Sequence, residues 1–313
     1  TPQRLARRLA ASNLGRSYRL LLPQGPYRTE RGWAWFPRRI RSTSRSQLRS
    51  TARAQGQHLA AELRSDLADR RILGRPIVAG YSQGGMFAYQ TAAFRKSRGL
   101  ASVITFGSPV DIHRNVPNMK DDLAERLAGV LRTALGMPID HVPGLPGFIS
   151  STGFKLLSAR KELSQMVDFV SKLHDRQELE KREAKRLFLR GQGFVAWPGP
   201  AFRNFVDEFV VANRMTTGGL VIDGRTVTLA DIRCPILCFV GDRDEIAFPA
   251  AVKAIHRAAP DSDVTTAHIN AGHFGLVIGS EAMTRTWPMV SEWVKWRGGD
   301  GGDDARPRRG GKR

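Results

Sequence analysis

Gly80-Tyr81-Ser82-Gln83-Gly84-Gly85 decides how this chain reads. It follows a β-branched run, Pro76-Ile77-Val78-Ala79, and leads into a small-residue helical stretch over 86–94. Strand, tight turn, serine, helix is the context in which G-x-S-x-G projects a serine hydroxyl from the end of a sheet. A serine on so sharp a turn has a strained backbone, and side chains two positions away on either side are expected to collide. Gly80 and Gly84 would remove those side chains, and Gly85 would let the helix start close to the sheet. The helix N-terminus then aims its first N–H groups, that of Gln83 among them, at developing negative charge. The hexapeptide alone also fits a glycine-rich turn in some other α/β protein, so the reading depends on its partners.

Working outward, three further apolar runs read as strands, at 101–106, 235–240 and 264–269. The continuous hydrophobicity of 235–240 suits a strand buried on both faces, as in a parallel sheet. In open α/β sheets the reactive groups sit on loops beyond the strand C-termini. Ser82, Asp244 and His273 each fall just after a predicted strand. A serine hydroxyl needs a base to take its proton, and the base needs a carboxylate to hold its tautomer. Asp242, Asp244 and Glu245 compete for the acid; Asp244 is preferred because a carboxylate a few residues past the strand reaches the histidine loop. The alternative is a solvated turn and N-cap. Of seven histidines, His273 follows a late strand and lies in Ala271-Gly272-His273-Phe274-Gly275, where glycines let the loop fold sharply.

Composition narrows the partners. The 313 residues fit one large domain or a core with an insertion. Net charge is +20, and residues 1–75 alone carry 17 Arg against 4 acidic residues. Such a surface attracts anions, including a coenzyme A thioester, although no nucleic-acid-binding module is visible and nucleic acid is not an expected partner. Two cysteines make no disulfide framework, and Cys234 and Cys238 are too far apart along a strand to pair. A reduced, cytoplasmic compartment is expected. No run approaches the roughly 20 apolar residues of a membrane span. No metal or cofactor is expected, and the sequence leaves oligomeric state open.

The expected organisation is a core of 1–110 and 229–296, a helical cap inserted at 111–228, and a basic disordered tail at 297–313. Before the elbow, an amphipathic helix is expected at 3–11, a strand at 18–22 and a long helix at 44–71; late in the chain, helices are expected at 250–259 and 281–296. The 32–37 stretch, Gly32-Trp33-Ala34-Trp35-Phe36-Pro37, is too aromatic for an ordinary exposed loop and is expected to pack beside the site or line a groove. Helical segments separated by Pro and Gly fill 111–228, with aromatics clustered from Phe194 to Phe209. Trp35, Tyr81, Trp197 and Phe274 are the candidate substrate contacts.

At these residues the chain resembles the α/β-hydrolase superfamily. Leu20-Leu21-Leu22-Pro23-Gln24-Gly25-Pro26, Trp33-Ala34-Trp35-Phe36 and the Ser82 hexapeptide resemble the carboxylesterase/phospholipase family. From about 205 onward the chain is more similar to polyhydroxyalkanoate synthases, through Asn213-Arg214, Ile222-Asp223-Gly224-Arg225, Asp244-Glu245-Ile246, Gly272-His273-Phe274-Gly275 and Trp287-Pro288. The resemblance implies an α/β-hydrolase fold, a mostly parallel sheet flanked by helices with an inserted helical cap, and a Ser82–His273–Asp244 triad with the Gln83 N–H as an oxyanion donor. It departs in two places. The synthases carry cysteine where this chain has Ser82, which favours hydrolysis over repeated acyl transfer. The superfamily also has a strand and a His-Gly-type loop before its first helix; these are missing here, so an N-terminally truncated chain is expected. Three functions follow as alternatives: a carboxylic ester or thioester hydrolase, an acyl-CoA-using acyltransferase, or an inactive module of the same fold.

Overall fold

The computed structural model describes residues 75–115 and 204–297, the backbone at Tyr27–Thr29 and Gly32–Ala34, and helical positions Ser50, Ala54, Gln57, His58 and Ala61. The helix expected at 3–11, the strand at 18–22, Trp35, the stretch 116–203 with Trp197, and the tail beyond Arg297 lie outside these residues. The chain divides into one unit at Ile77–Trp287 and another formed by Thr1–Pro76 with Pro288–Arg313.

In the second unit, β1 (Tyr27–Thr29) pairs antiparallel with β2 (Gly32–Ala34), Tyr27 opposite Ala34. The aromatic stretch beginning at Gly32 therefore starts as a strand. The five helical positions between Ser50 and Ala61 fall within the helix expected at 44–71.

The Ile77–Trp287 unit is organised on a parallel sheet. β3 (Ile77–Tyr81) runs into α1 (Gln83–Phe94), and β4 (Ser102–Phe106) follows. β5 (Leu220–Ile222) and β6 (Arg225–Val227) form a separate hairpin, and β7 (Ile236–Gly241) returns to the sheet. Two short helices, α2 (Pro249–Lys253) and α3 (Ile255–Ala258), lead to β8 (Val264–Ile269). The strand order is β3-β4-β7-β8, all neighbours parallel. β7 is buried at all six positions, as its unbroken apolar sequence requires of a strand covered on both faces. The register of the sheet puts Phe106 beside both Tyr81 and Phe239, and Gly241 beside Ile269. Four chain segments therefore leave the sheet along one rim, which is where the polar residues of interest begin.

Packing explains the rest of the core. α1 turns Met86, Ala88, Tyr89, Ala92 and Ala93 inward, into one apolar cluster with Val103, Ile236 and Cys238. Burying each larger apolar side chain of this cluster contributes roughly 1.5–3 kcal/mol. Phe106 stacks on Phe239 at 5.0 Å, and the Trp287 ring tilts against Phe106 at 5.5 Å.

Three expectations change. The 111–228 stretch is not helical throughout: β5 and β6 form a two-stranded hairpin turning on Asp223-Gly224, both at positive φ (51° and 71°). An Asp-Gly pair between apolar residues is the sequence mark of such a turn, because both central positions need φ > 0. The helix expected at 250–259 is two, α2 and α3, meeting at Ala254. The helix expected over 281–296 opens as a π-helix, Ala282–Thr286, before continuing as α4 (Trp287–Arg297). Pro288 has no N–H to offer the preceding turn, and the wider turn accommodates it, with Trp287 N–H donating to Ala282 O. In the Pro288–Arg313 segment, Trp293 and Trp296 meet edge-on at 5.2 Å, and the Arg297 guanidinium lies 3.5 Å over the Trp296 ring. Among the described residues no helix is long and apolar enough to cross a membrane.

Candidate active site

Ser82 sits between β3 and α1 with φ 54° and ψ −124°, a conformation that costs about 1–3 kcal/mol for a non-glycine residue. The surroundings hold it there. Its N–H donates to Phe106 O (2.8 Å), while its own carbonyl accepts from Gly85 N (3.0 Å) and Met86 N (3.4 Å). Two glycines make the turn possible by close approach. A Cβ on Gly80 would stand 2.3 Å from Gly84 O, and one on Gly85 would stand 1.9 Å from Ser108 Oγ. Gly84 corrects the expectation from sequence: among the described residues, a Cβ there would meet nothing within 4 Å. Crowding therefore explains Gly80 and Gly85 but not Gly84.

Ser82 is also the N-cap of α1, yet its side chain makes no capping bond. Its hydroxyl instead donates to His273 Nε2 at 2.9 Å. Gln83 opens the 12-residue α1, where the first N–H groups have no intrahelical acceptor. A positive helix pole thus lies directly behind the serine.

His273 starts the 3-10 turn His273–Leu276 immediately after β8 and its short loop. Its Nδ1–H donates to Asp244 Oδ2 at 2.7 Å. Because an ionised carboxylate only accepts, the proton belongs on Nδ1, and Nε2 is left to accept from Ser82. Asp244 is itself almost wholly buried, at 2% exposure. An unpaired carboxylate there would be expensive, but its Oδ1 accepts from Ile246 N and Ala247 N, both at 2.9 Å. Both oxygens are thus satisfied and their roles are divided, Oδ1 being fixed to the backbone and Oδ2 to the imidazole. The other two acids considered from the sequence are exposed; Asp242 bonds His268 Nδ1 at 2.7 Å instead.

The loops carrying these residues are tied to one another. Asp242 N donates to Ile269 O (2.9 Å), Arg243 N to Ala271 O (3.1 Å) and Arg243 Nη2 to Asn270 O (2.7 Å). Gly107, at φ 53°, follows β4 beneath them; a Cβ there would lie 3.0 Å from Asp244 Oδ2 and 3.1 Å from His273 Nδ1. A methyl group there would fit only if the His273–Asp244 pair gave way by a few tenths of an ångström.

Of the four side chains expected to touch substrate, two lie beside His273. The Tyr81 ring is 4.9 Å from the His273 ring and 6.5 Å from that of Phe274, which is half-exposed. Burial, and then the Asp244 carboxylate, push the Tyr81 phenol well above its ordinary value of 10.0, so it stays protonated. Among the described residues its buried hydroxyl has no hydrogen-bond partner. Trp35 and Trp197 lie outside the described residues. Among the described residues no three His, Cys, Asp or Glu side chains cluster as a metal ion would need.

Two polar groups have no role that the sequence assigns. Buried Asp111 accepts from Asn213 Nδ2 (2.9 Å), Arg114 Nε (3.0 Å) and Arg257 Nη2 (2.9 Å), while Ile112 N donates to Asn213 Oδ1 (3.2 Å). In the same segment, Asn115 bonds the backbone at Ile246 and Phe248. In the core, Tyr89 and Thr105 hydroxyls lie 2.7 Å apart, and burial pushes the neighbouring Cys238 thiol up to about 11. Most of these partners are distant in sequence, and apart from Asn213, which stands in the Asn213-Arg214 pair of the synthase resemblance, no local motif marks them.

No family model matches the chain. Over 223 residues it is 26% identical to the poly(3-hydroxyalkanoate) polymerase subunit PhaC of Allochromatium vinosum, covering 70% of this chain and 59% of that protein. To the PhaC subunit of Thiocystis violacea it is 23% identical over 225 residues, again 70% and 59%. The chain thus spans about three-fifths of the length of these relatives. Among solved structures, a monoacylglycerol lipase from Paleococcus ferrophilus is similar at 16% identity with a TM-score of 0.44, covering 78% of this chain and 75% of the lipase.

Proposed function

We propose that this chain, a member of the α/β-hydrolase superfamily similar to poly(3-hydroxyalkanoate) polymerase subunits, is a serine hydrolase of a carboxylic ester or acyl thioester. The reading is carried by one observation: the Ser82 hydroxyl, the His273 imidazole and the buried Asp244 carboxylate form a continuous hydrogen-bonded chain. In this reading Ser82 Oγ attacks the carbonyl carbon as His273 Nε2 takes its proton. Asp244 keeps Nδ1 protonated and stabilises the imidazolium. Negative charge on the tetrahedral oxygen meets the Gln83 N–H at the pole of α1. Nε2–H then protonates the departing alcohol or thiol, leaving an acyl ester on Ser82. Water, deprotonated by the same nitrogen, attacks that ester, and collapse releases the acid and returns the proton to Ser82.

Tyr81 and Phe274 are the proposed acyl-side contacts, since their rings flank the imidazole. The 111–228 stretch is proposed to cover the site as an inserted cap. No cofactor or metal takes part in this mechanism.

A second reading has its own support. The relatives that match most of the chain are polymerase subunits, so an acyltransferase passing the Ser82-bound acyl group to a hydroxyl in place of water is the competing assignment. One experiment treats both. A fluorophosphonate probe is expected to label the wild-type chain and to leave Ser82→Ala unlabelled; equal labelling of the two sinks both readings. A hydroxyacyl-CoA thioester then separates them, free hydroxy acid supporting the hydrolase and oligomeric ester the transferase.

A further inference from the structure

Asp244 owes its orientation to two backbone N–H groups, and those groups are held in turn from elsewhere. The acid loop makes a tight turn after β7: Asp244 Oδ1 accepts from Ile246 N and Ala247 N, and α2 begins at Pro249. Across this turn lies a single carboxamide. Asn115 Nδ2 donates to Ile246 O at 3.1 Å, and Asn115 Oδ1 accepts from Phe248 N at 3.0 Å. The side chain therefore completes the backbone pairing of the residues on either side of Ala247. It comes from more than 130 positions earlier in the chain, at the end of the 3-10 turn Ile112–Asn115.

We infer that Asn115 is a positioning residue for the relay: it fixes the Ile246–Phe248 backbone, that backbone fixes Asp244, and Asp244 fixes the His273 ring. The inference rests on the catalytic reading of Ser82, His273 and Asp244. A carboxamide carries both the donor and the acceptor that the two backbone groups require. Asn115 is itself anchored, because Asp111 of the same segment is held from other elements by Asn213 and Arg257. The charged and titratable neighbours on the acid loop, Asp242, Arg243 and Glu245, are exposed or bonded elsewhere, and Tyr81 is the titratable group packed against the imidazole.

The test compares Asn115→Ala with Arg114→Ala, a change in the same 3-10 turn that touches Asp111 but not the acid loop. With p-nitrophenyl butyrate, Asn115→Ala is expected to lower kcat by about 10- to 100-fold, the scale of a sub-ångström misplacement. KM stays within about twofold. The whole chain is also read by proton NMR, which needs no substrate. The strongly downfield proton of the His273–Asp244 bond, identified by its loss in His273→Ala, moves or broadens in Asn115→Ala and is unchanged in Arg114→Ala. Amide exchange at Ile246 and Ala247 quickens in parallel. Asn115→Ser, polar but too short to span both groups, repeats the measurements should the alanine chain fail to fold. Wild-type resonance and exchange in the Asn115 variant overturn the inference whatever happens to kcat, and so does an equal effect from Arg114→Ala. Failure of the hydrolase reading shows itself separately, as activity that survives Ser82→Ala.

Discussion

Gly107 faces the hydrogen bond between His273 and Asp244, and a methyl group there would press on both partners: its Cβ would come within 3.0 Å of Asp244 Oδ2 and 3.1 Å of His273 Nδ1. The same carbon would also meet Leu276 at 2.9 Å, and φ of 53° already disfavours a side chain. Gly107→Ala is therefore expected to displace the imidazole and reduce kcat by about 100-fold or more. Ester turnover checks this, with circular dichroism confirming the fold. Full activity would mean that the loops are looser than their hydrogen bonds imply.

Asp244→Asn should preserve the turn, since an amide oxygen still accepts from Ile246 and Ala247. Its NH2 then faces His273 Nδ1 and forces the proton onto Nε2, where it cannot accept from Ser82. The expected loss is about 10⁴-fold in kcat with little change in Tm. A variant with near-normal turnover would remove Asp244 from the mechanism.

The two glycines flanking Ser82 should behave differently. Gly80→Ala drives a Cβ into Gly84 O and should destabilise the chain by about 1–3 kcal/mol, as overpacking does. Gly84→Ala finds open space within α1 and should stabilise by about 0.4–1 kcal/mol, through a less flexible unfolded chain. Thermal melts of both variants decide it; an equal drop in the two would restore the expectation of crowding on both sides.

High pH should unfold the chain through its core acids. The Cys238 thiol is raised from 9.0 to about 11, and the Tyr89 phenol is raised well above 10.0, in both cases chiefly by burial. The unfolded chain loses these protons first, so stability falls as pH climbs through 9.0 toward about 11 and is unaffected by these groups below 9.0. Cys238→Ala should flatten part of that decline in Tm. Of the four tyrosines, Tyr81 and Tyr89 should yield phenolate absorbance only as the fold is lost.

What a short window of sequence can carry is legible in this chain. Ser82 announces itself through its glycines and the strand before it. His273 does so through its loop, and β8 has the bounds expected of it because Val264, Thr265, Thr266 and Ile269 favour extended backbone. Preferring Asp244 to Asp242 and Glu245 from sequence rests on reach; burial and the Ile246 and Ala247 N–H groups are what separate the three in the structure. Gly84 misleads because a motif shows which residue recurs, not what lies above its α-carbon. Asn115 and Asp111 are invisible for a different reason: each bonds a partner about 100 or more positions away, and single polar residues in loops carry no periodicity.

Asp111 and Asn213 also bear on how such a chain could change over time. Their bond closes a gap of 102 positions at one point, so the sheet meets the two margins of that stretch as if they were adjacent. Closing a longer or shorter loop across such a fastening alters its entropy only with the logarithm of length. Only the part of that stretch between Asn115 and Asn204 is therefore exchangeable in principle: a graft of different size could be spliced there while Asn115 kept its bonds to the acid loop and the reacting groups kept their places.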